Sequence, residues 1–153
     1  MAKENRFEEI ALLEHLLHLR ELDLTDNAIT GLAVERLSSS LTHLTMTRNK
    51  LHALENMISL ARLHSLVLTG NEIKVLDSAL VFNDRLRYLC MAENPGFRLS
   101  PHELSPSLRT LDVRATGMTT REGVGLDHNV KVIFALSVPD ESIFGDPVIE
   151  SDE

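Results

Sequence analysis

The side chain best equipped for covalent chemistry is Cys90, the only cysteine among 153 residues. A catalytic thiol needs a base within hydrogen-bond reach to hold it as thiolate. Seven histidines are available but scattered. His15 and His18 stand three apart on an expected helix, yet no third ligand has comparable spacing, so they do not make a zinc site. The chain contains no glycine-rich phosphate loop, no G-x-S-x-G turn and no H-E-x-x-H segment. These residues therefore describe a protein that is not an enzyme and needs no metal or cofactor.

What positions Cys90 is a repeat. The phrase L-x-x-L-x-L-x-x-N-x-L returns five times, 22 or 23 residues apart. It runs Leu19, Leu22, Leu24, Asn27, Ile29, then Leu41, Leu44, Met46, Asn49, Leu51, then Leu63, Leu66, Leu68, Asn71, Ile73. The fourth copy is Leu86, Leu89, Met91, Asn94, Gly96, and the fifth is Leu108, Leu111, Val113, Thr116, Met118. Rows are numbered here by place in the phrase. Rows one, four and six point inward from a short strand, and the residues between them face out. The row-nine asparagines are expected to stack as a ladder that satisfies backbone groups beyond the sheet. One copy cannot bury its own leucines, so stability comes from stacking of neighbours, with all strands parallel. In this array the row neighbours of Cys90 are Val67 and Asp112. His43 lies two strands off, about 10 Å at the usual strand spacing. No base reaches the thiol, and Cys90 is read as a small apolar residue on the sheet.

Between strands, Leu51, Leu54, Met57 and Leu60 step by threes, as do Ile73, Leu76 and Ala79, with Leu80 and Phe82 nearby. Steps of three suit short α or 3₁₀ turns. The pattern resembles the short 22-residue class of intracellular leucine-rich repeat proteins over roughly residues 5–136. The resemblance implies an α/β solenoid, or horseshoe: a parallel sheet on the concave face and short helices or 3₁₀ turns on the convex face. Three parts are expected. Residues 1–18 form a half repeat, with a capping helix over Phe7–Leu17. Residues 19–136 hold five repeats and a closing strand, which counting forward 22 places at Val130–Leu136. Residues 137–153 form an acidic cap and tail. In that tail Gly145, Pro147 and Val148 resemble the L-D-G-x-P-V cap of intracellular arrays. Without a strand before it, Leu19–Leu24 is expected to be an open sheet edge, which a partner or a longer array would meet.

Composition sets further bounds. Apolar residues make up 43% of the chain, which fits one globular domain. No apolar run approaches 18 residues, so no membrane span is expected. The opening MAKENRFEE is too polar for a secretory signal. One cysteine and no N-x-S/T sequon point to a reducing, cytoplasmic setting. The net charge is −8, and six of the 23 acids lie between Val132 and Glu153, where there is no Lys or Arg. Removing them leaves 17 acids against 15 bases. A nearly neutral solenoid with an acidic tail argues against nucleic-acid binding.

That leaves a protein partner. Row three is expected as Glu21, His43, Ser65, Tyr88, Thr110, Val132, and row five as Asp23, Thr45, Val67, Cys90, Asp112, Phe134. The C-terminal end of this face is the least polar, so Val67, Tyr88, Cys90, Val132 and Phe134 are the expected partner-binding residues. Row two, Arg20, Thr42, His64, Arg87, Arg109, Lys131, adds a basic line including Arg109 that would steer an acidic partner. The expected function is a non-enzymatic interaction module, standing alone or within a larger assembly. The alternative is a phosphatase regulator. Lys131-Val132-Ile133-Phe134 resembles the basic-Val-x-Phe docking motif of protein phosphatase 1 regulators, which binds as an added edge strand.

Overall fold

The computed structural model describes residues 16–32, 34–119 and 129–134. Six parallel strands form one sheet in chain order: β1 Glu21–Asp23, β2 His43–Thr45, β3 Ser65–Val67, β4 Tyr88–Cys90, β5 Thr110–Asp112 and β6 Lys131–Ile133. The first four pairings keep the phrase in phase, joining Leu22, Leu44, Leu66, Leu89 and Leu111 across the sheet. Leu44, Leu66, Leu89 and Leu111 are fully buried, with Met46, Leu68, Met91 and Val113 beside them in row six. The core is thus a continuous column running through the stack, as neighbour stacking requires.

The asparagine ladder is present, and each amide reaches back to the preceding repeat. Asn71 donates through Nδ2 to the Met46 carbonyl at 2.9 Å and the Leu68 carbonyl at 3.0 Å, while its Oδ1 accepts the Leu51 N–H at 3.0 Å. Asn49 and Asn94 repeat this arrangement one repeat before and after. Each bridges two repeats through backbone groups that no strand pairing satisfies. Thr116 is too short for the bridge: its hydroxyl donates only to Val113 O at 2.7 Å, within its own repeat.

Row eight turns left-handed in all five copies, at Asp26, Arg48, Gly70, Glu93 and Ala115. This bends the chain out of each strand toward the convex side. There it returns through 3₁₀ turns at Val34–Arg36, Met57–Leu60 and Pro101–Glu103. Polar residues three places before the second, fourth and fifth phrases tie these returns together; before the third phrase that place is the core residue Leu60. The Ser38 hydroxyl donates to Leu17 O at 3.0 Å, Asn83 Nδ2 to Met57 O at 2.8 Å, and the Ser105 hydroxyl to Asn83 O at 2.6 Å.

Two departures come from repeat length. The third repeat is one residue longer than the second, and the extra residue falls between Leu76 and Leu80, where Asp77 and Ser78 are both left-handed. Leu80 rather than Ala79 therefore fills the core place, and Phe82 is left 69% exposed on the convex side. The second departure is in β6. Leu111 pairs with Val132, a step of 21 rather than 22. A one-residue shift exchanges the two faces of a strand. The capping helix expected over Phe7–Leu17 lies almost wholly outside the described residues, as does the cap and tail of 137–153.

Candidate partner-binding face

The outward rows of the six strands make one continuous surface. Row three reads Glu21, His43, Ser65, Tyr88, Thr110 and Lys131, and row five reads Asp23, Thr45, Val67, Cys90, Asp112 and Ile133. This corrects the expectation for β6. Val132 and Phe134 do not face out; both are half-buried against the core, in line with buried Val130. Lys131 and Ile133 take the outward places. The physical reason is alternation: Val130, Val132 and Phe134 are apolar at steps of two, so this register buries all three and leaves the lysine in water. The signal was in the sequence, as a strand's period of two overriding a fixed count of 22. The basic-Val-x-Phe segment accordingly turns its Val and Phe inward, not toward a docking enzyme. The basic line of row two keeps Arg20, Arg87 and Arg109 but loses Lys131 to row three.

Of the expected partner-binding residues, the structure brings Val67, Tyr88 and Cys90 together on β3 and β4. Arg109 is exposed at the rim beside them, one strand on. Cys90 is not an open apolar patch. It is 4% exposed, and its Sγ lies 3.2 Å from the Thr69 hydroxyl. Around it sit three polar groups that sense one another electrostatically. Burial, then the neighbouring Cys90, raises the Tyr88 pKa, so the phenol stays protonated well into alkaline solution. Burial also pushes the Asp112 carboxyl up. The hydrogen bonds and charge of Arg114 outweigh it, so Asp112 titrates below its usual range.

Sequence reading missed Arg114. Its Nη2 donates to Asp112 Oδ2 at 2.7 Å and its Nε to both carboxylate oxygens at 3.0 Å. The Asp112 side chain is 1% exposed and that of Arg114 53% exposed, so a buried anion holds a half-exposed cation in place. Rows five and seven share a face two residues apart, and that spacing was enough to find the pair. The same two rows carry a different device at the N-terminal end, where the Thr25 N–H and hydroxyl donate to Asp23 Oδ1 at 2.9 and 2.6 Å. Among the described residues, no group of His, Cys, Asp and Glu is arranged to hold a metal ion, and no helix is long and apolar enough to cross a membrane.

Residues 17–73, which span β1 to β3 with the convex returns between them, match the family model described as Leucine rich repeat. β4 to β6 continue the same sheet beyond that match. No curated protein matches the chain. The family match implies a protein–protein interaction module.

Proposed function

We propose that this short-repeat leucine-rich repeat solenoid is a non-enzymatic module that binds a partner protein through its concave sheet. The observation that carries the reading is the unbroken register of six parallel strands. Inward side chains are consumed by the core and cannot meet a ligand. Outward rows present aligned side chains at a spacing of about 4.8 Å. The anchor of the contact is Tyr88, with Val67 on the neighbouring β3, Ile133 two strands on in β6, and Arg109 at the rim. An aromatic among apolar neighbours and an arginine is the usual composition of an interface centre.

The test is capture of partners by the intact chain and by two variants. Tyr88→Ala with Arg109→Ala should weaken the captured complex by about 2 kcal/mol or more, roughly thirty-fold in affinity. Phe82→Ala, on the convex side, should leave it unchanged. A partner lost with Phe82 and kept by the concave double variant would place the interface on the other face.

A further inference from the structure

The concave face is divided by charge. At its N-terminal end rows three and five carry Glu21 and Asp23. At its C-terminal end stand Arg87, Arg109, Arg114 and Lys131; the described carboxylates beside them are Asp112, which is buried and already paired, and exposed Glu93, whose N–H donates to the Arg114 carbonyl at 2.8 Å. Arg87, Arg109 and Lys131 form no ion pair with any described residue. Arg87 and Arg109 are neighbours in row two, held close because the Arg109 N–H donates to the Arg87 carbonyl at 2.9 Å. Like charges side by side across a sheet cost stability in the isolated chain, and a negative ligand would relieve that cost. The patch runs against the net charge of −8 of the whole molecule, so general polyanion attraction does not account for it.

Arg114 differs from an ordinary surface arginine. Asp112 engages its Nε and one N–H of Nη2, which leaves three of the five guanidinium donors free to point into solvent. A free surface arginine loses rotamer entropy when a ligand fixes it. Here the buried carboxylate has already fixed it, so an incoming anion meets a preorganised donor. Half-buried Tyr88 and Ile133 lie on the two strands that flank β5, and Val67 lies one strand further on.

We propose that the C-terminal half of the concave face, centred on Arg114 with Arg87, Arg109 and Lys131 around it and Tyr88 beneath, is a receptor for an acidic protein segment carrying an apolar anchor. This rests on the concave-face reading above and names its partner's chemistry. The carboxylates of the segment lie over β4 to β6, and its apolar side chain sits on Tyr88 and Ile133. Glu21 and Asp23 repel the acidic end, which sets the direction of the segment across the sheet.

The test is selection of random linear peptides displayed on phage against the intact, immobilised chain, followed by affinity measurement of the winners. Arg109→Glu and Lys131→Glu are the main variants, because both side chains are exposed, form no ion pair with a described residue, and can be lost with the core intact. Arg114→Gln is secondary, since it strands a buried carboxylate. The expected winners carry Asp or Glu beside an aromatic or aliphatic residue. They should weaken about ten-fold with either charge reversal, as loss of one charged hydrogen bond implies, and weaken again with added salt. Winners that are neutral or basic, ignore both reversals and still need Tyr88 would overturn the acidic partner while leaving the concave-face reading intact. Winners indifferent to Tyr88 and to the charges would overturn both. Winners that resemble residues 137–153 and are displaced by a synthetic peptide of that segment would overturn an external partner in favour of the chain's own acidic tail. Equal charge-dependent binding of a single-stranded oligonucleotide would replace the protein segment with nucleic acid.

Discussion

Asp112 shows how one buried residue couples stability to surface chemistry. Its carboxylate is held below the usual range of about 3.9 because Arg114 outweighs the effect of burial. A depressed folded pKa stabilises the native state at pH above the unfolded value, and this contribution is lost as pH falls through the folded value. Asp112→Asn should therefore cost about 1–3 kcal/mol at neutral pH, and the gap to the parent should close in acid. Urea melts at neutral and acid pH measure this, and a gap that persists in acid would show that the charge is not the cause. At the same scale, Leu66 and Thr45 separate the two faces of the sheet. Leu66 is fully buried in the middle of the stack, and Leu66→Ala should cost about 2–5 kcal/mol because the column cannot collapse around the cavity. Thr45→Ala, on the outward face, should cost under about 0.5 kcal/mol. Equal melting shifts would overturn the inward and outward assignment.

At the scale of elements, legibility in the sequence followed the strictness of the physical constraint. β1 to β5 lie where the leucine phrase places them, because rows one, four and six have no alternative to burial. The asparagine ladder was legible for the same reason, since an amide both donates and accepts and is long enough to cross a repeat boundary, where the shorter Thr116 hydroxyl is not. The place of β6 departs from the count of 22 because a constant repeat length is a habit of such arrays and not a physical demand, whereas alternation in a strand is. Its register yields a direct test. Val132→Asp should destabilise by about 1–3 kcal/mol or more, the cost of burying an unpaired polar group, while Ile133→Asp on the outward side should be tolerated in a thermal melt. The opposite ranking would restore a 22-residue step. The burial of Asp112 in its pair with Arg114 was not legible for another reason: two polar residues on the outward face carry no hydrophobic periodicity to mark it. The cap expected at each end falls outside the described residues.

The whole molecule is a column whose parts meet only their neighbours. In the sheet, register is fixed on one face by the core and cannot slip without turning leucines into water. On the convex side the chain is held by turns, and the extra residue of the third repeat is accommodated at Asp77 and Ser78 with Leu76 and Leu80 both still fully buried. A glycine inserted between Asp77 and Ser78 should consequently cost less than about 1 kcal/mol, because lengthening a loop adds little closure entropy. The same glycine between Leu66 and Val67 should abolish the cooperative melt. Comparable losses from both insertions would show that the two faces tolerate length equally.

The tolerance at Asp77 and Ser78 also bears on how such a chain can change its reach. If the outer arc absorbs spare length, a whole copy spliced into it by gene duplication brings its own leucines and its own asparagine and needs no new packing scheme. Each added copy would widen the footprint offered to a partner by one strand, about 4.8 Å. The span of the target, rather than the stability of the fold, would then decide how many copies are kept.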